Sequence, residues 1–253
     1  MFYSLPKESR LQLVAQINAD IHADLTNNRD DKILQYFADE DTYIRKAGYQ
    51  ELGRIYLSFK DLRPGILSLL ESLFENNNPH IRQTTINAAG EIGKTDFDIV
   101  EPLLDKGLFD PHHSVRNAVI GSMKKIGEKN PAPLLRCSRK YLHHEDKEIR
   151  REICHGIELR GRTHPQDILP LLKELQWDKT ARVRNTLVHV LGQISYKKGC
   201  LATVLDDLKT WENKDIVTKA IEEIIDVHDR YKNFAVMTQE EAKEVIASLG
   251  FIV

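Results

Sequence analysis

Polar side chains that can donate hydrogen bonds recur along this sequence at an almost constant interval, and they are its strongest candidates for chemistry. They lie one and five residues after a recurring arginine. The two columns are Lys46, Gln83, Asn117, Arg151 and Asn185, and Gln50, Asn87, Gly121, His155 and His189. Neither column contains an acidic or aliphatic residue, although the chain has 38 acidic residues. Such groups suit a phosphate backbone or a polar peptide.

The recurring arginine follows an apolar residue and sets the period of the chain. The pairs are Ile44-Arg45, Ile81-Arg82, Val115-Arg116, Ile149-Arg150 and Val183-Arg184, with a degenerate sixth copy at Val217-Thr218. The spacing is identical from the second pair onward and slightly longer before it, which indicates one supersecondary unit, repeated and stacked. Apolar residues just before the arginine and three, four, seven and ten positions after it follow the helical period. A second apolar run precedes each arginine, so each repeat is predicted to be a helix pair.

The polar junction between the two helices completes a resemblance to the HEAT repeat, in which a junction acid and the arginine of the second helix interlock between units. The resemblance implies an all-α fold, a right-handed α-solenoid of about six HEAT-like helix-pair repeats with capping helices at both ends. We expect one domain over residues 1–253, and we expect the five arginines to hold the stack together rather than bind a ligand. The repeats are predicted near 30–58, 64–94, 97–129, 131–162, 165–198 and 200–230, and the caps at 4–24 and 238–249.

Composition excludes several classes of protein. The chain has no apolar run long enough to cross a bilayer as a helix, so no membrane span is expected. It also has no N-terminal secretory pattern. The three cysteines form no CxxC motif, and the adjacent pairs His112-His113 and His143-His144 have no partner at metal-ligand spacing. We therefore expect a cytoplasmic protein with reduced thiols, no cofactor and no metal site.

The charge is distributed unevenly, although the net charge is only −2. Residues 116–198 carry eighteen Lys and Arg against nine Asp and Glu, whereas the segments before and after have net charges of −6 and −5. A basic centre favours a polyanion as partner, although solvated lysine-rich helix faces would have the same composition. Arg160, Arg162, Lys197 and Lys198 extend the basic set near helix C-termini, where they would also be favourable without a ligand.

The fourth and fifth repeats are similar to bacterial alkylpurine DNA glycosylases built from HEAT-like repeats. The similarity lies in Ile149-Arg150-Arg151 and in Val183-Arg184 followed by Ile194, Lys197 and Lys198. It implies a concave cleft that grips duplex DNA and exposes a cationic base to a carboxylate. His155 stands where that family has glutamate, and Gly192 and Gln193 replace its Asn-Asp pair. Glu158 is the remaining candidate for a catalytic carboxylate.

Three functions remain open. The first is binding of duplex DNA, or another polyanion, through a basic concave surface without the family carboxylate; the second is a protein–protein interaction scaffold; and the third is an active glycosylase. The sequence therefore leaves open whether the protein is an enzyme. The predicted nucleic-acid-binding residues are Lys46, Gln83, Asn87, Asn117, Arg151, His155, Arg160, Arg162, Asn185, His189, Gln193, Lys197 and Lys198.

Aromatic residues give a weaker signal. Trp177 and Trp211 lie one period apart, and Phe109 occupies the same repeat position. Periodic placement predicts that these side chains pack in the core, with base stacking as the alternative. Tyr196, at the end of the fifth repeat, is expected to be the more accessible aromatic.

Overall fold

A computed structural model describes residues 1–252, which contain helices and no strand. The helices form two compact units, the first covering Met1–Asn130 and the second beginning at Pro131. The single domain expected over residues 1–253 stays a prediction. None of the helices in the described part of the chain combines the length and apolar character needed to cross a bilayer.

The first unit consists of one leading helix and three helix pairs. Its helices are α1 (Lys7–Thr26), α2 (Asp31–Ala38), α3 (Thr42–Ser58), α4 (Arg63–Phe74), α5 (Pro79–Gly93), α6 (Phe97–Leu108) and α7 (His113–Lys129). The second helices of the pairs pack in series, α3 on α5 and α5 on α7. Their apolar positions, among them Leu52, Ile86 and Val119, are fully buried. Burial of one face of each helix is the main stabilising contribution, since helical stability in proteins comes mostly from the packing of an apolar face.

The second unit also contains three pairs, followed by a closing helix. Its helices are α8 (Pro131–Tyr141), α9 (Lys147–Gly156), α10 (Glu158–Gly161), α11 (Pro165–Glu174), α12 (Ala181–Gln193), α13 (Cys200–Lys209), α14 (Lys214–Arg230) and α15 (Gln239–Ser248). The second helices α9, α12 and α14 again pack in series. In the fourth repeat the second helix is interrupted at Ile157, which separates α9 from the single turn α10. The HEAT-like helix-pair fold predicted from the sequence is confirmed.

The recurring arginines stabilise the junctions inside the repeats. In all five, Nη1 donates to the backbone carbonyl six positions earlier, for example from Arg116 to Asp110 and from Arg184 to Asp178. These carbonyls follow the first helix of the pair, where the backbone oxygens have no helical donor. The arginines therefore hold the two helices of a repeat at a defined angle.

Two of these arginines also connect successive repeats through a buried carboxylate. Arg82 donates through Nε and Nη2 to both oxygens of Asp110, and Arg150 makes the same two bonds to Asp178. Burial alone would raise the pKa of each aspartate, but the guanidinium and a backbone N–H from His112 or Thr180 together lower it. This is the interlocking arrangement that the HEAT resemblance implies.

The terminal helices close the two ends of the chain. Thr238 and Glu241 form a reciprocal capping box at the start of α15, as their spacing predicts. The leading helix begins at Lys7 rather than at residue 4, because Pro6 takes the N-cap position and residues 2–4 form a separate 3₁₀ turn. Ile17 and Ile21 are its fully buried apolar side chains.

Candidate functional site

A groove between α9 and α12 in the second unit contains four of the predicted site residues. Its volume is about 450 Å³, and its lining, which we call the donor groove, is Arg151, His155, Arg182, Asn185, Thr186 and His189. All six side chains carry hydrogen-bond donors, and none is acidic or aliphatic. The two sequence columns therefore meet on one surface in the fourth and fifth repeats.

Two groove residues, Arg182 and Thr186, are missing from the predicted set. Arg182 lies three residues before Asn185 and four before Thr186, and Thr186 lies three residues before His189. The helical period therefore places them on the same face of α12. The opposite face carries the fully buried Val183, Leu187 and Val190. The helical period was the signal that could have identified both residues.

The candidate catalytic residue Glu158 lies beside this groove but is only 1% exposed. It is the first residue of α10, directly after the interruption at Ile157. Its Oε1 accepts a hydrogen bond from Arg162 Nη2 at 2.5 Å, and its Oε2 lies 3.1 Å from His155 Nε2. The same Nη2 of Arg162 donates to Gln193 Oε1 at 2.7 Å. The structure thus brings Arg162, Gln193 and Glu158 together in one buried polar cluster.

His155 and His189 approach each other edge to face, with ring centroids 5.8 Å apart. One ligand atom from each of His155, Glu158 and His189 lies within 4.8 Å of the others, a spacing compatible with the ligands of one metal ion. Sequence spacing gives no sign of this cluster, because the two histidines lie on different repeats, a full period apart.

Glu223 of α14 supports His189 from the far side. Its Oε1 lies 3.5 Å from His189 Nδ1 and accepts a hydrogen bond from Arg230. Gly192 makes this approach feasible, because a Cβ at that position would lie 2.5 Å from Glu223 Cγ. Burial lowers the pKa of His189 below its usual value despite the nearby carboxylates.

The arginines of the donor groove are paired with carboxylates, so the groove is not the concentrated basic surface that the sequence predicts. Glu148 bridges Arg151 and Arg182, at 3.0 and 3.2 Å, and Glu152 lies 3.5 Å from Arg151. Glu148 and Glu152 stand two positions before and two positions after Arg150, outside the two columns. The two columns therefore give no sign of these carboxylates.

The remaining predicted residues are not part of the groove lining. Arg160 pairs with Asp167 of α11 at 2.6 Å. Lys197 donates to the Phe234 carbonyl and lies over the Tyr196 ring, whereas Lys198 is exposed. Four predicted residues belong to the first unit, where Asn87 donates to the Gln83 carbonyl, and Lys46 and Asn117 are exposed.

The aromatic predictions are partly wrong. Trp211 is fully buried as expected, but Trp177 is 62% exposed and Phe109 is 52% exposed. Trp177 lies in the turn after α11, whereas Trp211 folds back so that Nε1 donates to Asp207 of α13. Tyr196, expected to be accessible, is 3% exposed and stacks on Tyr231 at 5.5 Å. Equal repeat position did not give equal burial, because local turn geometry differs between the repeats.

Comparison with known proteins yields the fold. No protein-family model and no curated protein sequence matches this chain. Among solved structures, AlkD2 from Streptococcus mutans matches with a TM-score of 0.53 and 18% identity, over 83% of this chain and 96% of that one. The protein smu.31 from Streptococcus mutans UA159 matches with a TM-score of 0.48, 17% identity and coverages of 83% and 96%. An archaeal HEAT-like repeats protein from Thermococcus onnurineus NA1 matches with a TM-score of 0.46 and 17% identity, over 94% of this chain and 91% of that one. The likeness to AlkD2 confirms the resemblance drawn from the sequence at the level of the fold.

Proposed function

We propose that this protein binds duplex DNA through the donor groove of its second unit. The observation that carries the proposal is the lining itself, in which six neighbouring side chains offer donors and no carboxylate belongs to the lining. Phosphate oxygens accept hydrogen bonds from arginine, asparagine, threonine and histidine without regard to base sequence. The resemblance of the fourth and fifth repeats to DNA glycosylases points to the same ligand.

Glu148 already occupies the two arginines of the groove as their ion-pair partner. A bound phosphate must compete with this carboxylate for Arg151 and Arg182, because Glu148 contacts both guanidinium groups. Binding is therefore expected to be of modest affinity and to weaken as the salt concentration rises. Removing the carboxylate should strengthen it.

We expect binding without cleavage of the glycosidic bond. A carboxylate that stabilises an oxocarbenium-like sugar must face the substrate. Glu158 instead is 1% exposed and already pairs with Arg162. Incubation with alkylated duplex and detection of free base tests this point, and release of base that is lost in Glu158→Gln would show the protein to be a glycosylase.

The decisive experiment uses fluorescence anisotropy of a labelled 30-mer duplex, titrated in EDTA at several salt concentrations. Arg151→Ala should weaken binding and reduce the dependence of log K on log salt by about one unit. Glu148→Gln should strengthen binding about tenfold, since it releases two guanidinium groups. Asp206→Asn is the matched control, because it makes the same charge change at an exposed ion pair on α13.

A protein-interaction scaffold is the second candidate, and the ion pairs around Glu148 favour it. A groove with balanced charges and exposed polar side chains fits a polar peptide as well as a phosphate backbone. Trp177 also offers an exposed aromatic of the kind found at interface anchors. The DNA proposal fails if no duplex binds at low salt and Glu148→Gln has the same affinity for the duplex as Asp206→Asn. The scaffold then remains.

A further inference from the structure

We infer that His155, Glu158 and His189 form a binding site for one Zn²⁺ ion or a similar divalent transition metal. Two imidazoles and one carboxylate are the protein ligands of a three-ligand zinc site with an open coordination position. This inference goes beyond the proposed DNA binding and does not depend on it.

The ligand atoms are already close to the geometry that a metal requires. Around tetrahedral zinc, neighbouring ligand atoms lie about 3.3 Å apart. His155 Nε2 and Glu158 Oε2 lie 3.1 Å apart, and all three ligand atoms fall within 4.8 Å of one another. Small side-chain rotations therefore suffice to form the site.

The surrounding residues orient the three ligands. Glu223 lies against His189 Nδ1, which directs the other ring nitrogen, Nε2, away from Glu223. A carboxylate behind a histidine is a common support for metal-bound imidazole. Arg162 holds Glu158 through Oε1, so Oε2 is the oxygen oriented toward His155.

Gln193 is a second, independent indication of a ligand in this region. It is 1% exposed, and its Oε1 accepts from Arg162 beside Glu158. Its Nε2, however, has no hydrogen-bond partner among the described residues. Buried amide donors are rarely left unsatisfied. A water or anion held by the metal would provide the acceptor.

The location of the site determines what its open position would face. His155 and His189 both line the donor groove, whereas Glu158 lies beneath them. A metal held by these three residues would therefore face a ligand in the groove. Phosphate oxygens and water are the groups that would complete its coordination.

The test is isothermal titration calorimetry with Zn²⁺ alone. The untagged full chain is first dialysed against EDTA and then freed of it. We expect one ion per chain. In His189→Ala the Kd for zinc should rise more than about 100-fold, because one of the three protein ligands is lost. Glu223→Gln should raise the Kd about 10- to 100-fold through the support of His189. Co²⁺ in place of Zn²⁺ should give the visible absorption of a four- or five-coordinate site.

His143→Ala is the matched control. His143 Nε2 lies 2.8 Å from Glu174 Oε2 in the same unit, so this variant removes an exposed histidine–carboxylate pair outside the cluster. It should bind zinc as the unmodified protein does. The inference is overturned if the unmodified chain takes up no stoichiometric zinc, or if His143→Ala weakens binding as much as His189→Ala.

Glu223→Gln is a milder substitution, and it remains informative if His189→Ala does not fold. Unchanged zinc affinity in Glu223→Gln, with unchanged circular dichroism, would contradict the proposed support of His189. Because this titration contains no DNA and the anisotropy assay contains EDTA, either proposal can fail without the other.

Discussion

Two carboxylates on second helices, Glu91 in the first unit and Glu158 in the second, show how similar architecture can produce different chemistry. Glu91 pairs with Lys94 one turn later and with Lys125 of the next second helix, the latter at 3.2 Å. Glu158 lies instead against His155 and Arg162, with His189 supplied by the next second helix. A protonated lysine has no lone pair to offer, whereas a neutral imidazole does. Glu91 therefore forms ion pairs with two lysines, whereas Glu158 belongs to the cluster for which we propose metal binding.

The backbone around the two carboxylates differs as well. α5 continues through Glu91, and Gly90 just before it lets the next second helix approach closely, since a Cβ there would lie 2.3 Å from Ser122 Oγ. The fourth repeat has Glu158 at the position that corresponds to Gly90, and its helix is interrupted immediately before it. A buried charged side chain occupies the space that close helix packing uses in the first unit.

The largest expected effect tests what the two units share, the arginine–aspartate pair. Asp110→Ala and Asp178→Ala should each lower the free energy of unfolding by about 3 kcal/mol, because each leaves a mostly buried guanidinium without its carboxylate partner. The side chains of Asp110 and Asp178 are 3% and 5% exposed. Urea denaturation followed by circular dichroism measures the change. Asp206→Ala, in an exposed pair, should change stability by less than about 1 kcal/mol. An equally small effect at Asp178 would show that the interlock does not stabilise the fold.

The next effect separates Glu91 from Glu158. Glu158→Gln should lower the free energy of unfolding by about 2 kcal/mol, since it weakens the charge-assisted hydrogen bond from Arg162 and the contact with His155 in a buried environment. Glu91→Gln should cost under about 1 kcal/mol, because its lysine partners are 31% and 35% exposed. Both variants are compared by the same urea denaturation in EDTA. If Glu158→Gln were more stable than the unmodified chain, the contacts with Arg162 and His155 would not offset the cost of burying the Glu158 carboxylate.

The smallest effect is a dependence of stability on acid pH that both units should share. The folded pKa values of Asp110 and Asp178 are lowered, so their stabilising contribution is present above the ordinary carboxyl pKa of about 4 and is lost as pH falls through the lower folded values. Stability should therefore decrease on acidification below about pH 4. Asp110→Asn and Asp178→Asn should each flatten this decrease, as measured by unfolding at a series of pH values. A decrease of unchanged slope in both variants would assign acid sensitivity to other carboxylates.

Much of the fold could be predicted because the period and the helical pattern are local properties. The position of each arginine, the apolar offsets and the Thr238–Glu241 capping box all appear in the structure as the spacing indicates. The site was harder. The two columns identified four of the six groove residues, but Glu148 and Glu152, which neutralise the arginines, lie outside those columns. The aromatics failed for a related reason, since Trp177 and Trp211 share a repeat position but not a turn conformation.

The sequence by itself determined the secondary structure, the helix pairing and the interlocking arginines, because each depends on residue types at short or regular separations along the chain. Only the tertiary structure decided which charges neutralise one another and which polar groups meet beneath the groove. His155 and His189 belong to successive repeats and are distant along the chain, yet their rings are 5.8 Å apart in the folded unit. Contacts of this kind depend on the packing of one repeat against the next, and the spacing of residues within a repeat does not encode them.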